Sequence, residues 1–211
     1  MPGTAFKDLD RLRSEQTLRG DRVAARLREF AAVPREEYFF ELVYCLLTPQ
    51  SSAVNAARAV AALREAGLGY RDIDPGPILA SRSHYIRFHI TKASRIVEAH
   101  AMLPSILDTL GGGKPPSLER RWLVEHVNGL GWKEASHFLR NIGRRDLAIL
   151  DRHILKNLRV HGAIRSVPVT LTPKRYLAIE AKFKMFADAC GIAMDEIDLL
   201  FWSRETGEIL K

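Results

Sequence analysis

The 211 residues are 46% hydrophobic and 27% charged, the balance of an ordinary globular chain long enough for one sizeable core or two small lobes. A formal charge of +7 and an isoelectric point of about 9.6 point to an anionic partner or to a solubilising surface. No run of roughly 18 apolar residues could span a bilayer and no signal-peptide pattern opens the chain. Cys45 and Cys190 are too few for a four-cysteine cluster or a structural zinc on their own, so the expectation is a cytoplasmic protein with two buried free thiols and no membrane partner.

The periodicity is helical nearly throughout, and the chain reads as all-α with about ten helices. Val23, Leu27 and Phe30 stand at i, i+4 and i+7 of a first helix. After Pro34 the apolar stretch Tyr38 to Leu47 predicts a second. Ser51 or Ser52 can cap a third, running to about Glu65 and ended by Gly67. Pro75-Gly76-Pro77 marks a turn. Thr91 can cap a long helix through Ile96, Ala99, Leu103 and Leu107 to the glycines at 111–113, with Pro104 kinking or dividing it. Ser117 and Arg120 open a helix that enters a glycine turn, and Gly143 ends the helix that leaves it. A helix to about His161 follows, then helices near 174–189 and 193–205. Only Ser166 to Leu171 alternates in a β-like way.

Residues 127–153 carry most of the chemistry. Gly129 and Gly131 flank Leu130 between two helical patterns, and Lys133 stands at the mouth of the second. Glycines let the backbone turn tightly and let a phosphate approach without a Cβ in the way. The first N–H groups of the following helix, with its dipole, favour an anion. Such a turn would grip a DNA backbone rather than read bases; the simpler reading is an ordinary helix–helix connection. From Trp132 to Arg165 eight Lys or Arg stand against three acids, so positive charge concentrates around this turn. Lys133 is either a phosphate-contacting or solvated lysine, or a nucleophile. A neutral amine attacking the anomeric carbon of a nucleotide would expel the base and leave an imine, from which the strand breaks by β-elimination. Asp151 closes the apolar run Leu147 to Leu150. It reads as the N-cap of the next helix, as a carboxylate that stabilises positive charge on a sugar, or as both.

Three weaker candidates stand apart from that segment. Arg82, Arg87, Lys92 and Arg95 form an acid-free run with Tyr85 and Phe88, suited to phosphates and a stacked base. Phe88 is a pocket wall in that reading and a partly buried core residue in the other. Gln50 can fill the gap a flipped base leaves, or simply close a helix. His126, His137, His153 and His161 form no metal-ligand motif.

Gly129-Leu130-Gly131-Trp132-Lys133 with Leu150-Asp151-Arg152-His153 resembles the helix-hairpin-helix DNA glycosylase superfamily. The chain is short and lacks the cysteines of the iron–sulfur members. Leu46 to Ser52 is similar to the helix-breaking segment these enzymes carry near DNA. The tail Asp198-Leu199-Leu200-Phe201-Trp202 through Gly207-Glu208-Ile209-Leu210-Lys211 resembles that of the archaeal-type 8-oxoguanine DNA glycosylase/AP lyases. The resemblance implies two helical lobes, residues 35–151 and residues 1–34 plus 152–211, with the active-site cleft between them. It implies Lys133 as Schiff-base nucleophile and Asp151 as the essential carboxylate. Lys211 would recognise the oxidised guanine through its terminal carboxylate, and Trp202 would stack on the extruded base. Gly129, Gly131, Gln50, Arg152 and His153 would face DNA. The expected activity is removal of 8-oxoguanine from duplex DNA by a monomer needing no cofactor or metal, followed by strand cleavage. The alternatives are a glycosylase for another oxidised base and a DNA-binding module without catalysis.

Overall fold

The apolar periodicity becomes eleven α-helices and one 3-10 turn among residues 6–207, the part of the chain that the computed structural model describes. In chain order these are α1 (Leu9–Ala31), the 3-10 turn (Arg35–Glu37), α2 (Tyr38–Leu47), α3 (Ala53–Glu65), α4 (Pro75–Leu79) and α5 (His89–Ala101). They continue with α6 (Leu103–Gly111), α7 (Pro116–His126), α8 (Trp132–Asn141), α9 (Arg152–Val160), α10 (Pro173–Cys190) and α11 (Met194–Thr206). The described residues contain no β-strand, only an isolated bridge between Leu68 and Arg71. The alternating stretch Ser166 to Leu171 is irregular; Val169 is fully exposed, so the stretch has no apolar face to bury. None of the described helices is long and apolar enough to cross a membrane.

The chain divides into two compact units, one from Pro34 to Phe138, the other joining the residues up to Val33 with those from Leu139 onward. The internal unit is built on α2, whose residues Phe39–Leu47 are all buried. A helix that is apolar on every side belongs at the centre of its unit. Here α3 and α5 pack against it, and small residues (Ala56 and Ala59 on α3, Ala93 and Ala99 on α5) line the buried faces. Ser52 caps α3, its Oγ accepting the Asn55 N–H at 3.0 Å.

Two local expectations are corrected in this unit. Pro75-Gly76-Pro77 is a short helix rather than a plain turn: Asp74 accepts the Gly76 N–H at 2.8 Å, and a proline in the first turn forfeits no helical hydrogen bond. Thr91 does not cap α5; the cap position falls three residues earlier, at Phe88, with φ 60°. The long helix is divided as Pro104 foretold, with Met102 separating α5 from α6 and Pro104 in the first turn of α6.

In the other unit α1 packs on α10 and α11, and α11 on α9. Leu12, Val23, Leu27 and Phe30 are its buried contribution from α1, and Phe183, Phe186 and Phe201 stack within the core. Gly143, at φ 85°, is required where the chain passes α1: a Cβ there would lie 2.7 Å from the Ala31 Cα. Arg140 and Asp198 form a buried ion pair at 3.0 Å. The Tyr176 hydroxyl donates to the Ala148 carbonyl and accepts the Leu150 N–H, and Glu180 accepts the Ala148 N–H. These bonds fasten residues 147–150 to α10, so the boundary between units falls at Phe138–Leu139 rather than at Asp151. Cys45 and Cys190 are buried free thiols.

Candidate active site

The glycine turn at 129–131 is built as its sequence suggests. The Leu130 N–H donates to the Val127 carbonyl at 3.2 Å, closing the turn, and the Leu130 side chain is buried beneath it. Gly129 has φ 93°, and a Cβ there would lie 2.6 Å from Arg95 Cδ and 3.2 Å from Leu46 Cδ2. A side chain at this position would strain the backbone and push Arg95 aside. Lys133 is the second residue of α8 and keeps 26% of its side chain exposed, with Nζ 3.4 Å from Glu134 Oε1. The other Glu134 oxygen stands beside Gly131, where a Cβ would meet it at 3.0 Å. A carboxylate thus occupies the helix start, where the dipole favours an anion.

Below this helix start lies a residue that sequence reasoning treated only as a helix opener. Arg120, 1% exposed on α7, holds its guanidinium 4.9 Å from the Trp132 ring and donates to Ser136 Oγ at 3.1 Å. Ser136 in turn donates to the Trp132 carbonyl at 2.9 Å. The first turn of α8, which carries Lys133, is braced from inside. The available signal was spacing: Arg120 shares the buried face of α7 with Leu123.

Gln50 and Phe88 come together through their loops. Gln50 is exposed at φ 56°; Phe88 is 50% exposed at φ 60°. Bulky residues in the left-handed region carry a backbone cost of about 1–3 kcal/mol each, tolerated where the surroundings fix them. Ser51 Oγ accepts the Arg87 N–H at 3.2 Å, and Asn55 donates to the Tyr85 carbonyl at 3.2 Å, stitching the two loops. Arg87 lies 4.8 Å over the Phe88 ring. Lys92, expected among the phosphate-binding cations, is instead buried and donates to the Leu47 and Pro49 carbonyls.

Asp151 is the N-cap of α9. Its Oδ1 accepts both the His153 and the Ile154 N–H, each at 2.8 Å, and its Oδ2 takes no part in the cap. Arg152 is exposed and donates from Nε to His153 Nε2 at 3.1 Å. His153 Nδ1 lies 3.5 Å from Glu205 Oε2, so in the neutral ring Nδ1 carries the hydrogen. Lys156 also binds Glu205, at 2.9 Å, and that hydrogen bond holds the Glu205 carboxyl below its usual range. Trp202, partly exposed on α11, places its ring 5.4 Å from that of His153. Asp151, Arg152, His153 and Trp202 thus gather in one unit, while the hairpin, Lys133, Gln50 and Phe88 belong to the other. Lys211 lies outside the described residues.

The positive segment is corrected in one respect. Arg140 is buried against Asp198 and adds nothing to the surface field, whereas Arg145, Arg152, Lys156, Arg159 and Arg165 are exposed. Among the described residues no group of three or more His, Cys, Asp or Glu side chains could hold a metal ion.

Comparison with known proteins gives a consistent picture. The profile of a family described as 8-oxoguanine DNA glycosylase matches residues 23–192. The 8-oxoguanine DNA glycosylase/AP lyase of Korarchaeum cryptofilum is 39% identical to this chain over 92% of it and 94% of the relative. That of Fusobacterium nucleatum is 36% identical, covering 98% of this chain and 97% of the relative. The crystal structure of the Methanocaldococcus jannaschii 8-oxoguanine glycosylase/lyase in complex with a 15mer DNA containing 8-oxoguanine matches with a TM-score of 0.85. It is 31% identical and covers 96% of this chain and 99% of that one.

Proposed function

The chain belongs to the 8-oxoguanine DNA glycosylase family, and from that membership we infer that it removes 8-oxoguanine from duplex DNA and cleaves the strand at the abasic site left behind. The observation that carries the inference residue by residue is Lys133, held on the braced first turn of α8 directly after a glycine hairpin suited to a phosphate.

In this reading the damaged nucleotide leaves the duplex. Lys133 gives up its proton to solvent, parts from Glu134, and its Nζ lone pair attacks C1′. The bond from C1′ to the base breaks with its electron pair on the base, which takes the proton that the newly bonded Nζ gives up. The Asp151 carboxylate stabilises the positive charge that builds on the sugar as that bond lengthens. The ring oxygen then departs from C1′ with a proton, giving an imine between Nζ and C1′. Loss of a C2′ proton expels the 3′ phosphate, which cuts the strand, and water releases the enzyme.

The remaining residues bind. Gly129, Gly131, Arg152 and His153 face the DNA backbone. Phe88 and Trp202 present rings to the extruded base, and Gln50 enters the space it vacates. Lys211 takes part in recognising the oxidised guanine, whose N7–H guanine lacks. The working unit is a monomer in the cytoplasm, with no cofactor in the reaction.

Borohydride trapping tests the central step. Wild-type protein incubated with an 8-oxoguanine:C duplex and reductant is expected to give a covalent adduct, and Lys133→Ala none. An adduct retained by Lys133→Ala would remove that lysine from its role. A wild-type protein giving neither adduct nor base release would refute the activity.

A further inference from the structure

Lys92 is 2% exposed on α5, in line with Ile96 and Ala99 at helical spacing on the buried face. Its Nζ donates to the carbonyl oxygens of Leu47 and Pro49, each at 2.7 Å, and reaches Ser51 Oγ at 3.4 Å. These acceptors bracket Gln50. An ammonium has three donors, which matches the three acceptors. Leu47 is the last residue of α2, so the cation also sits where the end of a helix leaves carbonyls unpaired and where its dipole favours positive charge. The Ser51 N–H returns to the Thr48 carbonyl at 3.1 Å, and Ser51 Oγ accepts the Arg87 N–H.

Within this closed turn Gln50 is held at φ 56° with its side chain exposed. A glutamine persists in the left-handed region only where its surroundings over-determine the backbone. Lys92 supplies that determination from inside the unit. A lysine is a costly residue to bury, and a surface phosphate contact would not need one there.

We propose that Lys92 is a positioning residue for base extrusion: it locks the Thr48–Ser52 turn so that Gln50 stands ready to support the base orphaned when its damaged partner leaves the duplex. The proposal rests on the role given to Gln50 above. Lys92 therefore matters when an orphan base must be supported, and not to the chemistry on the sugar.

Single-turnover excision from two duplexes tests it, one with 8-oxoguanine opposite cytosine and one with 8-oxoguanine opposite a tetrahydrofuran abasic analogue. Lys92→Met and Gln50→Ala should each slow the paired substrate on the order of tenfold, the scale of a misplaced positioning group. Both should leave the unpaired substrate within about twofold, and the double variant should be no slower than the slower single one, as residues acting through one another require. Should Lys92→Met fail a thermal-melt check of folding, Lys92→Gln, which stays polar but is one atom too short to hold both carbonyls, takes its place. Slow Gln50→Ala with a wild-type rate in the Lys92 variant would overturn the clamp and leave the role of Gln50 standing. A wild-type rate in Gln50→Ala would overturn both. Equal slowing of both substrates by the Lys92 variant would reduce it to a folding role and overturn the proposal.

Discussion

Replacing Asp151 separates two duties that its carboxylate is proposed to combine. The cap is visible: one oxygen, Oδ1, accepts two N–H groups of α9 at 2.8 Å. Asp151→Ala removes both bonds and the negative charge at the helix start. Loss of a cap costs about 1 kcal/mol, and the charge on the helix dipole roughly 0.3–1 kcal/mol more, for a total of about 1–2 kcal/mol. Asp151→Asn keeps an acceptor oxygen in the same place, and Asn caps about as well as Asp, so it should lose less than about 1 kcal/mol. Catalysis responds differently. An amide cannot match a carboxylate beside a developing cation, so Asp151→Asn should slow excision by about 100-fold or more while sparing DNA affinity. Urea unfolding at unchanged slope gives the stability difference, and single-turnover excision gives the rate. An Asp151→Asn protein excising within threefold of wild type refutes the electrostatic role. One as unstable as Asp151→Ala refutes the cap as the source of the stability loss.

Three further outcomes are expected. Gly129→Ala places a Cβ 2.6 Å from Arg95 Cδ at φ 93°, so it should destabilise by roughly 1–3 kcal/mol and weaken DNA binding; unchanged melting and affinity would contradict the tight packing of the turn. Deleting Lys211 should weaken 8-oxoguanine excision more than cleavage of a preformed abasic site, and equal effects on both would remove the tail from recognition. Burial, with the charge of Arg95 adding to it, lowers the Lys92 amine from 10.5 to about 8. Between those values the unfolded chain holds the proton and the native chain does not, so stability at this site rises with pH across the window. The gain is about 3 kcal/mol at most, and Lys92→Met should lack it. A wild-type-minus-variant difference in unfolding free energy that stays flat or falls over that range would contradict the burial argument.

The sequence shows the helices plainly because apolar spacing records which faces are buried, and α2 is legible as a central helix from its dense apolar run, broken only by Glu41. The hairpin is legible because Gly129 takes a backbone angle that favours glycine, and the Asp151 cap because the residue stands directly before a helical pattern. What escapes is burial of charge. Lys92, Arg120 and Arg140 count as solvent-seeking in any periodicity, yet each is buried on partners far along the chain: the Leu47 and Pro49 carbonyls, Ser136, and Asp198. The left-handed backbone at Gln50 and Phe88 leaves no local mark either, since nothing in those residue types asks for it. The unit boundary is hidden for a related reason: Tyr176 and Glu180, well downstream, decide where residues 147–150 belong.

One rod ties several parts together. Helix α5 follows Phe88 in its cap position, grips the Gln50 turn through Lys92, and lays Arg95 against Gly129. On the roles proposed for Gln50, Phe88 and the glycine turn, a small tilt of this helix would carry all three in step. Scanning the backbone and testing a base would then be one mechanical act, and damage to the packing under α5 would be felt as a clumsy search before it touched the bond being broken.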